Sequence, residues 1–169
     1  KNRPKTGIEL EKICSKCDSE CFACLAGTRN DCTACDPSNA NYKYYWARSK
    51  TCTSVCPDGS FLALPGDLIC SDCSSECFTC SGPERTNCLS CDKNKINFRY
   101  YWDVTKTCNN VCPDGSFSPS LEDFVCQPCH PSCKTCSNGG NFNNCMSCKK
   151  DVSENAFYNQ IEKTCVSTC

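Results

Sequence analysis

Thiols carry the chemistry of this sequence. Twenty-four cysteines stand in 169 residues, and most are spaced as C-x2-C or C-x3-C. Such pairs can chelate zinc as thiolates, exchange electrons as a redox dithiol, or close disulfides. Two C-x2-C units would furnish a four-thiolate zinc site, but the interlaced C-x2-C-x3-C-x2-C spacing found here is closer to a disulfide box than to two separated knuckles. No metal site is assigned. A redox C-x2-C calls for a βαβ setting, and the sequence offers none. Disulfides remain. So many thiols belong in an oxidising compartment, where each bond adds roughly 2–4 kcal/mol by restricting the unfolded chain. The expected location is extracellular or at the cell surface, in a secreted protein.

Other chemistries find little to work with. His130 is the single histidine; it stands in "CHPSC" between two cysteines with no nucleophile motif nearby, so its expected role is structural. Glu11, Glu20 and Glu122 are scattered, and no general acid/base pair can be nominated. No enzyme activity and no cofactor is expected. A net charge of −1 with pI near 5.9 gives no warrant for binding nucleic acid, and the basic run Lys1, Arg3, Lys5 reads as a solvated terminus. No stretch approaches the ~20 apolar residues of a membrane span. The opening "KNRPKTGIEL" lacks the apolar core of a signal peptide, so the chain reads as processed or as a segment of a longer one. Asn-x-Ser/Thr is absent, and Asn30, Asn110 and Asn143 stand only in Asn-x-Cys.

The elements that must position the sulfurs come in copies. Cys14, Cys17, Cys21, Cys24, Cys32, Cys35, Cys52 and Cys56 recur 56 positions later as Cys70, Cys73, Cys77, Cys80, Cys88, Cys91, Cys108 and Cys112. A third set is Cys126, Cys129, Cys133, Cys136, Cys145, Cys148, Cys165 and Cys169, its second half displaced one residue by the surface turn "SNGGNFNN". Three repeats follow, residues 1–69 with an N-terminal connecting segment, 70–125 and 126–169. Within each, the first half is too short between cysteines for regular structure. The sixteen-residue segment beyond it predicts a hairpin, because Tyr44-Tyr45, Tyr100-Tyr101 and Phe157-Tyr158 occupy its β-prone middle. Those aromatics are expected to cover disulfides rather than stack on ligands. Trp46 and Trp102 could mediate lateral contacts if exposed, since Asn159 takes their column in repeat 3. "CPDGSF" supplies Asp-Gly turns at Asp58-Gly59 and Asp114-Gly115. Apart from cysteine, too few apolar residues are present for an ordinary core. The expected fold is a small disulfide-rich one, three tandem repeats of short β-hairpins and loops in an elongated rod with little or no helix.

The motifs "CSSECFTCSGPERTNCLSC", "CQPCHPSCKTCS" followed by "NCMSC", and the C-x3-CPDGSF tail resemble furin-like cysteine-rich repeats. Such modules occur in growth-factor receptors, R-spondins and proprotein convertases, and protist surface coats carry similar arrays. The resemblance implies a pairing: Cys17 with Cys24, Cys21 with Cys32, Cys35 with Cys52, Cys56 with Cys70, Cys73 with Cys80, Cys77 with Cys88, Cys91 with Cys108, Cys112 with Cys126, Cys129 with Cys136, Cys133 with Cys145 and Cys148 with Cys165. Cys14 and Cys169 are left over. Thirteen residues precede Cys14, the number that separates Cys56 from Cys70 and Cys112 from Cys126. The expectation is therefore that the unit repeats head to tail, Cys169 bonding Cys14 of the next copy, either between subunits or along a longer polypeptide. The function expected is structural, a disulfide-crosslinked surface-coat or fibre unit whose partners are copies of itself. A ligand- or receptor-binding ectodomain segment, with a protein ligand, is the alternative.

Overall fold

A computed structural model describes residues 16–120, 122–150 and 157–168. The chain divides into two compact units, residues 1–55 and 56–169.

The first unit holds two antiparallel pairs. Strands β1 (Ala23–Cys24) and β2 (Cys32–Ala34) form a short ribbon, and β3 (Tyr44–Trp46) with β4 (Thr51–Thr53) forms a hairpin in which Tyr45 faces Cys52.

The second unit opens with β5 (Ser60–Leu62) antiparallel to β6 (Ile69–Asp72). A ribbon of β7 (Thr79–Cys80) and β8 (Cys88–Ser90) follows, then a hairpin of β9 (Tyr100–Trp102) and β10 (Thr107–Asn109). The pattern then recurs: β11 (Ser116–Phe117) pairs β12 (Val125–Pro128), β13 (Cys133–Cys136) pairs β14 (Cys145–Cys148), and β15 (Phe157–Asn159) pairs β16 (Thr164–Val166). Strand β12 also runs parallel to β9, so a four-stranded sheet of order β10-β9-β12-β11 ties the end of one repeat to the start of the next. Among the described residues the only helical turns are two 3-10 turns, Arg85–Asn87 and Phe142–Asn144.

The hairpins fall where the aromatic segments predict them. The ribbons do not: the first half of each repeat was expected to be irregular, yet it carries β1–β2, β7–β8 and β13–β14. Strands of two to four residues are too short to persist by propensity. Here each is flanked by cysteines already fixed in disulfides, which lowers the entropy cost of the few ladder bonds that form.

The interior is sulfur. Among the described residues the side chains fully withdrawn from solvent are Cys32, Cys88, Cys108, Cys133 and Cys145. Aliphatic residues stay outside, Leu25, Val104 and Ile161 among them. Crosslinks have replaced the burial of a large apolar volume, as in other chains that cannot build an ordinary core.

Candidate functional site

Every described cysteine is bonded to another, in eleven disulfides among the described residues. Within the repeats Cys17 joins Cys24, Cys21 joins Cys32 and Cys35 joins Cys52. Then Cys73 joins Cys80, Cys77 joins Cys88 and Cys91 joins Cys108. The third set is Cys129 with Cys136, Cys133 with Cys145 and Cys148 with Cys165. Cys56–Cys70 and Cys112–Cys126 connect one repeat to the next. Cα separations run from 5.0 Å at Cys77–Cys88 to 5.8 Å at Cys73–Cys80, within the span a disulfide bridges. These sulfurs are not thiolates, so none can serve as a zinc ligand or redox dithiol while the bonds stand. Cys14 and Cys169 lie outside the described residues, as do Glu11 and the basic terminus.

The part of the molecule with a job beyond its own closure is the joint between repeats, which occurs twice in the second unit. At each joint "PDGS" makes a turn closed by the Ser60 amide on the Pro57 carbonyl, or Ser116 on Pro113, both at 3.0 Å. Gly59 and Gly115 sit at φ of 82° and 84°, the left-handed value that the third position of a type II turn requires. The same glycine clasps the following repeat from both sides of its peptide. Gly59 donates to the Phe78 carbonyl at 2.7 Å and accepts from the Cys73 amide at 2.9 Å. Gly115 does likewise with Lys134 and Cys129, at 2.6 and 2.8 Å.

The phenylalanine that ends the motif goes inward. Phe61 packs on the cluster of Cys77, Cys80, Cys88 and Cys108. Phe117, buried, joins Cys129, Cys133, Cys136, Cys145, Cys148 and Cys165. Each repeat thus fills the cysteine cluster of its successor. Three devices hold every joint: a disulfide, a two-bond backbone clasp and an apolar plug. The sequence signalled only the turn, because nothing local to "CPDGSF" reports which cluster its ring will meet.

A second recurring contact lies inside each repeat. Lys50, Lys106 and Lys163 adopt φ of 55°, 55° and 54° at the hairpin bends, and their carbonyls accept from the amides of Cys32, Cys88 and Cys145 at 3.0, 3.0 and 2.9 Å. The bend is thereby tied to the ribbon. At the second bend, Asp103 accepts from the Lys106 ammonium at 2.5 Å and from the Tyr101 hydroxyl at 3.2 Å. The Lys106 hydrogen bond holds the Asp103 carboxyl below its ordinary value, while burial, helped by the bond to Asp103, pushes the Tyr101 phenol up.

The remaining polar residues have structural partners. His130 Nδ1 lies 2.7 Å from the Ser132 hydroxyl, and its ring meets Phe142 edge to face. Glu20 pairs with Arg29 and, in the same columns one repeat on, Glu76 pairs with Arg85, each at 3.4 Å. The Ser38 hydroxyl and amide both donate to Asp36 and hold it below the usual carboxylate range. Glu122 is exposed. Tyr45, Tyr101, Trp46 and Trp102 are half-buried, and Tyr101 with Phe98 packs on a cysteine cluster; Phe157 and Tyr158 are exposed. No helix of the described residues is long and apolar enough to cross a membrane.

Curated relatives align along most of the chain. "Cysteine repeat modular protein 2" of Tetrahymena thermophila is 32% identical over 164 residues, covering 93% of this chain and 8% of the relative. "Furin-like protease 2" of Drosophila melanogaster is 29% identical over 167 residues, 91% of this chain and 9% of the relative. "Extracellular matrix organizing protein FRAS1" of Homo sapiens is 32% identical over 126 residues, 74% of this chain and 3% of the relative. The chain spans less than a tenth of the length of each. No protein-family model matches it.

Proposed function

Because the chain is built of furin-like cysteine-rich repeats, we propose that it is a structural extracellular protein, a disulfide-crosslinked surface-coat or fibre unit with no catalytic role. Eleven disulfides among the described residues, with a relative named for the extracellular matrix, support the location. One observation carries the function: the joint is built twice with the same disulfide, clasp and plug, so a repeat is made to receive the one before it and to close the one after. Elements that contact only their neighbours can be added without limit.

The unit extends head to tail on this reading. Cys169 stands in the column of Cys56 and Cys112, whose partners come fourteen positions downstream, and Cys14 stands in the column of those partners. Cys169 of one unit bonds Cys14 of the next, and a contact that does not close on itself generates an open array. This joint differs from the other two. Residues 1–13 place Arg3 and Lys5 in the columns of Gly59 and Phe61, so the joint between units has the disulfide without the clasping glycine or the plug. Partial reduction will break it first.

Native material run without reductant should migrate as multiples of one unit, and mild reduction should collapse the ladder to the single unit before internal disulfides open. A discrete monomer with every thiol oxidised and no Cys14–Cys169 peptide linking two units refutes head-to-tail assembly. A ligand-binding ectodomain is the second reading, and one repeat gives it a specific place.

A further inference from the structure

Repeat 2 departs from its neighbours around Arg99. The guanidinium carbon lies 5.2 Å from the centre of the Tyr100 ring and 5.0 Å from that of Phe124. The two rings meet edge to face at 5.3 Å. Stacking of this kind fixes the orientation of the guanidinium. Its charge is nonetheless unanswered: Nε is shielded from solvent with no acceptor, and Arg99 makes no ion pair among the described residues. Arg99 forms one wall of a cavity of about 160 Å³, with Leu89 and Val125 as apolar lining and Lys93 and Asp123 beside them. The same columns of repeat 1 hold Lys43, Leu68 and Pro37 for Arg99, Phe124 and Lys93, and Lys43 lies over Tyr44 alone. The stacked guanidinium is therefore not part of the repeating scaffold.

We propose that this cleft receives one carboxylate side chain, glutamate or aspartate, from an acidic segment of a protein partner. A guanidinium carries pairs of parallel N–H donors, the geometry that a carboxylate matches and an ammonium does not. The volume admits a single side chain, and Leu89 and Val125 would line its aliphatic stem. Arg99 and Lys93 against Asp123 leave one net positive charge in the cleft, which suits a monoanion and disfavours a dianion such as sulfate. A half-buried arginine between two aromatic rings, with Leu89 and Val125 beside it, has the composition of an interface hot spot. The inference goes beyond the structural reading of the chain and does not depend on it.

The test is titration of the full chain, followed at the backbone amide resonances of Leu89 and Val125, with N-acetylglutamate N-methylamide as probe. Saturable binding is expected at about 1–10 mM for one carboxylate in one cleft. The glutamine analogue should bind at least about tenfold more weakly, because it lacks the charge. R99K and F124L, the latter restoring the residue type of repeat 1, should each lose about tenfold, while D123N should bind as tightly or more so. Peptide mapping of the disulfides in each variant separates lost recognition from lost folding. Equal binding of glutamate and glutamine probes, or no saturable shift, overturns the proposal. Tighter binding of inorganic sulfate also overturns it, in favour of a sulfated glycan. Loss of D123N binding does so as well, since Asp123 would then be part of the recognition.

Discussion

Phe117 is the one non-cysteine member of the buried cluster of repeat 3, surrounded by Cys129, Cys133, Cys136, Cys145, Cys148 and Cys165. Disulfides fix distances but leave gaps between rigid bonds, and a planar ring fills the space that six sulfurs cannot. Phe117→Ala removes that ring from a site where surrounding crosslinks prevent collapse, so the cavity term applies almost in full. A loss of about 3 kcal/mol is expected, read as faster amide exchange across β13 and β14 with all disulfides intact. Phe61→Ala should cost less, since Phe61 is only half-buried on its cluster. Equal effects, or an exchange change under about 1 kcal/mol at Phe117, would show the plug to be passive.

At the level of the element, the β9–β10 hairpin depends on its bend. Tyr101, Asp103 and Lys106 share one hydrogen-bonded cluster there, and Ala47 stands in the Asp103 column of repeat 1. With its phenol raised in the fold, Tyr101 contributes stability that is complete below the ordinary phenol value near pH 10 and is lost as pH rises through the raised one. Asp103 works in the opposite sense: its contribution is present above the ordinary carboxylate value and is lost as pH falls through the depressed one. NMR titration of the Tyr101 ring should place its ionisation above pH 10 in the native chain and lower in D103N, where burial alone raises it. Coincident titration in the two proteins would remove Asp103 from the account. Much of this element was legible in the sequence, because paired aromatics ahead of Lys-Thr-Cys report a hairpin through β-propensity. The ribbons were not legible. Strands as brief as Thr79–Cys80 leave no periodicity to read, and they exist because disulfides elsewhere hold their residues side by side.

For the whole molecule, stability is distributed along a covalent ladder rather than gathered in one core. Replacing Cys112 and Cys126 by serine removes a loop of 14 residues, and chain entropy assigns such a closure about 3 kcal/mol. The clasp at Gly115 and the Phe117 plug remain, so the expected outcome is a local opening of residues 118–124 to protease while the pairs on either side stay closed. General unfolding of the chain instead would show that the joint, and not the repeat, is the cooperative unit. The ladder's columns were legible at this scale because cysteine spacing survives in plain sight. Arg99 and Phe124, by contrast, meet across 25 positions of chain, and only the fold reports their stacking. The borrowed phenylalanine has a further consequence in the order of synthesis. A chain emerges from its N-terminus, so Phe61 exists before Cys77 and Cys88, and Phe117 before Cys133 and Cys145. The second and third sets of thiols are thus made in the presence of the ring they must close around, which biases oxidation toward one pairing among the many that eight cysteines allow.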